Sequence, residues 1–129
     1  MDLLLDTHAF LWWATGDVRM PRAVGRLLRD PANNVFVSAV SLWEIAVKNR
    51  SGKLLLPMPI WEFVGEARTR MEALPLPFEE SAVVHMSKLP DHHRDPFDRM
   101  LICQAIEHDL TVVTADLQIR QYPIKTLWT

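Results

Sequence analysis

The sequence predicts an α/β domain built on a mainly parallel sheet. Three observations lead there. Short apolar or β-rich runs recur far apart: Leu3-Leu4-Leu5, "NVFVS" from Asn34, and "LTVVTAD" from Leu110. Segments of helical length and helical apolar spacing lie between them, and strands alternating with helices form parallel sheets. The chain has 129 residues, enough for one domain with a real core, so residues 1–129 read as a single unit.

The elements follow in order. Leu3-Leu4-Leu5 is a continuous apolar run closed by Asp6, the pattern of a strand buried on both faces. "THAFLWWAT" has helical spacing and stops at Gly16, a residue that ends helices without strain. "PRAVGRLLRDP" reads as a second helix with Pro21 near its first turn, where a missing N–H is harmless. "NVFVS" is the next strand. Ala39 to Arg50 reads as a longer helix ended by Ser51-Gly52, and a proline-bounded helix starts near Ile60. "ALPLP" is a short extended piece, "EESAVVHMSKL" one more helix, and "PDHHRD" a polar loop. Pro96 to His108 is a helix, residues 110–116 are the clearest strand, and "IKTL" is the last.

Apolar residues make up 49% and charged residues 23%, a globular balance that excludes a disordered chain. The net charge of −2 excludes a protein that holds nucleic acid by bulk positive charge, though not one that binds it locally. Cys103 is the single cysteine, so no internal disulfide forms and nothing suggests an oxidising compartment. "MDLLLDTHAF" has aspartates where a signal peptide carries positive charge. No apolar run approaches the length of a membrane span. There is no internal repeat, and the chain reads as a cytoplasmic protein.

In a parallel sheet, ligands bind beyond the carboxyl ends of the strands. Asp6 follows the first strand directly, and Asp116 follows "TVVTA". Asp98 lies in the first turn of the helix that feeds the Asp116 strand. That helix runs antiparallel to the strands, so it begins at their carboxyl edge. On a helical wheel of about 100° per residue, Asp98 shares a face with Leu101, Ile102 and Ala105, and Met100, Gln104 and Glu107 fall opposite. Its carboxylate thus points along a core-facing stripe, where charge is costly unless paired or metal-bound. Glu44, in "SLWEIAV", sits mid-helix with Val40 and Val47 on its face, where no cap explains it.

Each acid also has a plainer reading. Asp6, Asp95 and Asp116 each precede a predicted helix and suit N-caps. Asp98 suits the partner of an Asp95 cap, with Pro96 at the first helical position. Glu44 suits a solvated boundary face. Together they are harder to explain singly, because carboxylates converging on one sheet edge raise one another's pKa. A divalent cation relieves that repulsion, and an all-carboxylate ligand set points to Mg²⁺ or Mn²⁺ rather than zinc.

In this order and context the segments resemble those of the PIN-domain ribonuclease family, specifically the VapC-type toxins of type II toxin–antitoxin pairs. "LLLDTHAFLWW" resembles the opening strand with the first acid, "VSAVSLWEIAVKNRSGKL" the second segment, "HHRDPFDRMLICQA" the third and "LTVVTAD" the fourth. The likeness runs from Asp2 to about Pro123. It implies a three-layer α/β/α PIN-like fold and an acidic quartet, Asp6, Glu44, Asp98 and Asp116, that is both catalytic and metal-binding. Asp6 and Asp98 are then the main direct ligands, with Glu44 and Asp116 acting partly through water. The implied activity is a Mg²⁺-dependent endoribonuclease using metal-activated water, with Mn²⁺ as a substitute. The implied partners are an RNA substrate, a cognate antitoxin whose tail covers the site, and a second copy in a homodimer.

Supporting residues follow by position. Thr7 and Thr114, near Asp6 and Asp116, either orient a carboxylate or are ordinary cap and strand residues. His8 is discounted, since a metal-activated water needs no histidine, and His92 and His93 read as solvated loop residues. Lys48, Arg50 and Lys53, with Arg94 and Arg99, suit phosphate contacts or helix-end charges; Arg99 is the better candidate. "RMPRAVGRLLR" suits a solvated helix face or the border of an antitoxin groove. Trp12 and Trp13 point in different directions, so one of them suits an exposed interface position, while Trp43 and Trp61 suit core or interface. Met100 and Cys103 read as packing. Alternatives stay open: an RNA-processing or quality-control PIN nuclease with no antitoxin, a non-catalytic PIN-like module, and a Mg²⁺-dependent aspartyl phosphotransfer module. The last needs a lysine after a late strand, where only Lys125 is available.

Overall fold

Leu3, Leu4 and Leu5 are wholly buried and divide between the two faces of one sheet. Leu3 and Leu5 pack with Phe10, Val24, Leu28 and Phe63 on one side, whereas Leu4 packs with Leu101, Ile102 and Ala105 on the other. Successive strand residues face opposite ways, and each fully buried leucine contributes roughly 1.5–3 kcal/mol. One tripeptide therefore ties two helix layers to the sheet between them.

The computed structural model describes residues 1–129. In chain order the elements are β1 (Asp2–Leu5), α1 (Thr7–Thr15), α2 (Arg22–Arg29), β2 (Asn34–Ser38), α3 (Ala39–Arg50), α4 (Ile60–Met71), β3 (Leu74–Leu76), α5 (Glu80–Val83), α6 (Pro96–His108), β4 (Thr111–Val113) and β5 (Thr126–Leu127). The strands pair in the order β3-β2-β1-β4-β5, all parallel. The result is the expected three-layer α/β/α arrangement. Chain order runs outward from β1 to β2 and β3 on one side, then returns to β4 and β5 on the other. The join of β1 and β4 is thus the topological switch point, where such sheets open a crevice.

The structure sharpens or corrects several sequence expectations. "ALPLP" joins the sheet as the edge strand β3, a position that tolerates Pro75. "EESAVVHMSKL" is not one helix: α5 buries only Ala82, stops at Val84 and gives way to a short 3₁₀ turn at Met86–Lys88. Its paired β-branched valines, both exposed, offer no apolar stripe to hold a longer helix. The strand read over residues 110–116 is only Thr111–Val113, because the Thr114 hydroxyl accepts the Asp116 N–H at 2.9 Å and turns the chain out of the sheet. Gln104, placed on the outer side of its helix, is fully buried: it accepts from Ser38 Oγ at 2.6 Å and donates to the Pro77 carbonyl at 3.2 Å. Packing of α5 against α6 covers that flank. Trp43 and Trp61 lie outside the core, 56% and 75% exposed. Neither Trp12 nor Trp13 is exposed: both are half-buried, Trp12 against Trp128 with ring centroids 5.8 Å apart. Cys103 is buried and Met100 packs against the α6 side of the core, as expected of packing residues. No helix is long and apolar enough to cross a membrane.

Candidate metal centre

Asp6 leaves β1 and becomes the N-cap of α1. Its Oδ1 accepts the Ala9 N–H at 2.7 Å, and its Oδ2 accepts the Thr114 hydroxyl at 2.5 Å. Its own N–H donates to the Val113 carbonyl at 3.1 Å, which pins the two strand ends together. The cap reading is therefore correct for Asp6, and the same carboxylate is buried at the join of β1 and β4. Burial pushes this carboxyl above its ordinary range, while the bonds from Thr114 and Ala9 pull it down.

Glu44 is buried, so the solvated-face reading fails. The Thr7 hydroxyl, itself near Ser41 Oγ, donates to Glu44 Oε1 at 2.6 Å, and the Lys48 ammonium pairs with Oε2. Lys48 is thereby corrected from a free phosphate contact to the partner of an acid one turn back. Its hydrogen bond to Glu44 holds its pKa above the usual lysine value. The spacing is the ordinary i, i+4 pair, so this contact was available from sequence and was missed. Val47, expected on the Glu44 face, is 46% exposed.

Asp95 caps α6 as expected, accepting from the N–H groups of Phe97 at 2.8 Å and Asp98 at 3.2 Å, with Pro96 in the first turn. Asp98 is the third residue of α6, with its side chain only 16% exposed. Its carboxyl is pushed up to about 8, first by burial and then by Asp95, Glu44, Asp6 and Asp116. Asp116 follows β4. Its Oδ1 accepts the Gln118 N–H at 2.8 Å, leaving Oδ2 directed inward.

His93, read as a solvated loop residue, is instead buried in the site. Its Nε2 lies 3.0 Å from Asp98 Oδ2 and 2.9 Å from Asp116 Oδ2. Its backbone N–H donates to the Tyr122 hydroxyl at 3.0 Å, and its carbonyl accepts from Arg99 at 3.2 Å. No local pattern announced this, because Tyr122 and Asp116 arrive from far along the chain. Arg99 is corrected likewise: its guanidinium also reaches the Pro90 carbonyl and the Tyr122 hydroxyl, so it braces the loop rather than facing solvent. Arg50, Lys53 and Arg94 are exposed, as are His8 and His92.

After burial and Asp95, the acids Glu44, Asp6 and Asp116 each push the Asp98 carboxyl upward. The tightest donor group differs from the expected Asp6 and Asp98 pair. Ligand atoms of His93, Asp98 and Asp116 all lie within 4.8 Å of one another. An acid pushed up to about 8 first by burial and then by its carboxylate neighbours gains from a nearby positive charge, and carboxylate oxygens fit a hard divalent cation. Lys125 precedes β5 and pairs with Asp109 at 3.1 Å, at the end of the sheet away from these acids. It cannot act as the phosphotransfer lysine.

The PIN domain family matches residues 3–125. Ribonuclease VapC22 of Mycobacterium tuberculosis is 26% identical over 122 residues, covering 93% of this chain and 91% of its own. Ribonuclease VapC16 of the same organism is 34% identical over 59 residues, 46% of this chain and 42% of its own. In fold, the chain is similar to the crystal structure of VapBC2 from Rickettsia felis bound to a promoter DNA fragment, with TM-score 0.76, 15% identity and full coverage of both chains. It is also similar to DNA-bound VapBC from Salmonella typhimurium, with TM-score 0.69, 18% identity and coverage of 98% and 97%.

Proposed function

The chain belongs to the PIN-domain family, and from that membership we propose that it is a divalent-metal-dependent endoribonuclease, the toxin of a VapC-type toxin–antitoxin pair. One observation carries the proposal: Asp98 is largely buried at the carboxyl edge of the sheet, with Asp116 Oδ2 and His93 Nε2 clustered against it. The relatives named as VapC ribonucleases support the reaction class, and the VapBC structures of the same fold support an antitoxin partner.

Asp98 and Asp116 offer the closest oxygens to a shared ion, with Asp6 and Glu44 completing the acidic wall. When bound, Mg²⁺ (or Mn²⁺) supplies an activated water and neutralises charge at the scissile phosphate. The protein's part is placement. Thr114 and the Ala9 N–H hold Asp6 in one rotamer. Thr7 and Lys48 hold Glu44 and balance part of its charge. Exposed Arg50, Lys53 and Arg94 draw the RNA backbone without reading its bases.

Purified protein should cleave RNA in Mg²⁺, leaving 5′-phosphate and 3′-hydroxyl ends. Cleavage should stop with EDTA and in Asp98→Asn. Cleavage that persists in EDTA, or an active Asp98→Asn protein, would refute the assignment.

A further inference from the structure

His93 lies between two carboxylates, and two roles are open to an imidazole there: metal ligand or hydrogen-bond donor. A ligating nitrogen must present a lone pair. The other ring nitrogen decides which is available. His93 Nδ1 accepts the backbone N–H of Asp95 at 3.1 Å. An acceptor nitrogen carries no proton, so in the neutral ring the proton sits on Nε2. That Nε2–H donates to Asp116 Oδ2 at 2.9 Å, and Asp98 Oδ2 lies 3.0 Å from the same nitrogen.

The loop enforces this state. Tyr122 and Arg99 hold the backbone of His93 from either side, and the Asp95 N–H belongs to the cap that begins α6. Offering Nε2 as a ligand would move the ring proton to Nδ1 and set it against the Asp95 N–H, two donors face to face. We propose that His93 is a positioning residue and not a metal ligand: its Nε2–H holds the Asp116 carboxylate beside Asp98, with the Asp95 N–H fixing the tautomer. The inference rests on the metal centre proposed above. Asp116, whose side chain is one-third exposed, is the acid that most needs such a clamp. The ligand set then stays all-oxygen, the kind a hard cation takes, with the imidazole behind the carboxylates.

The test uses the full chain. ¹⁵N NMR of the metal-free protein, with His93 assigned by difference against His93→Gln, should show a protonated Nε2 and a bare Nδ1. The same pattern should persist in Mg²⁺. Calorimetric titration with Mn²⁺ should give binding about 10–100-fold weaker in His93→Phe, with His93→Gln, which restores a donor, close to the parent. Pulsed paramagnetic resonance of bound Mn²⁺ should show no coupling to a His93 nitrogen. A protonated Nδ1, a nitrogen coupling that vanishes in His93→Gln, or parent-like Mn²⁺ affinity in His93→Phe would each overturn the proposal. The ¹⁵N pattern decides the matter even if His93→Phe fails to fold. A parent chain that binds no Mn²⁺ overturns both this inference and the function above. Intact binding and tautomer without RNA cleavage would overturn only the function.

Discussion

The Thr114 hydroxyl donates to Asp6 Oδ2 at 2.5 Å, joining residues 108 apart in sequence across the ends of two parallel strands. The bond favours the charged form of a carboxyl that burial penalises. Thr114→Val keeps the shape and removes the donor. It should cost about 1–3 kcal/mol at pH 8 and less at a second pH low enough to protonate Asp6. Urea unfolding at the two pH values measures the difference, and equal losses would show that the hydroxyl does not act on the charge.

Asp98 is raised from 3.8 to about 8. Between those values the folded protein holds a proton that the unfolded chain releases, so this residue's contribution to stability falls as pH rises. Asp98→Asn removes that dependence. Metal-free Asp98→Asn should melt at least ~3 °C above the parent at pH 8, with no gain near pH 3.5, and should lose cleavage. Calorimetric melts across pH 3.5–8 check the trend.

Metal binding must displace the same proton. Mg²⁺ affinity should therefore weaken as pH falls below about 8, with a proton released per ion bound. At 100 times its dissociation constant, Mg²⁺ should stabilise the fold by about 2.7 kcal/mol, and EDTA should reverse it. Titration in buffers of different ionisation enthalpy counts the proton.

Lys48→Met leaves the buried Glu44 carboxylate with only the Thr7 hydroxyl. Because Lys48 is partly exposed, the loss should be about 1–3 kcal/mol. Mg²⁺ should restore more stability to this variant than to the parent, since a nearby cation replaces the missing charge. Thermal melts with and without Mg²⁺ decide it; equal metal effects would place Glu44 outside the ion's reach.

Asp95 and Asp98 should separate cleanly. Asp95→Asn caps nearly as well and should retain cleavage, whereas Asp95→Ala should lose about 1 kcal/mol. Chemical denaturation beside a cleavage assay reads both.

The local signals were legible in sequence. Gly16 ends α1 in the left-handed conformation, and Asp95-Pro96 opens α6 where capping chemistry places it. The Leu3-Leu4-Leu5 run announced a strand buried on both sides. What stayed hidden depends on long-range neighbours. His93 is a buried group only because Tyr122, Arg99, Asp98 and Asp116 surround it. Gln104 is buried only because Ser38 and the Pro77 carbonyl receive it. A helical wheel assigns a polar residue to solvent by default and cannot see a second layer folding over that side.

The switch point also sets a timetable. During synthesis β1, α1 and the Glu44 helix exist long before residue 114 does, and domains form as the chain emerges at about 5–20 residues per second. Until β4 is made, Asp6 lacks its threonine and Asp98 lacks Asp116. A nascent chain, or a fragment from a broken message, therefore carries three acids without the fourth side of their enclosure. The cell that makes this protein meets an assembled centre only when translation is almost over.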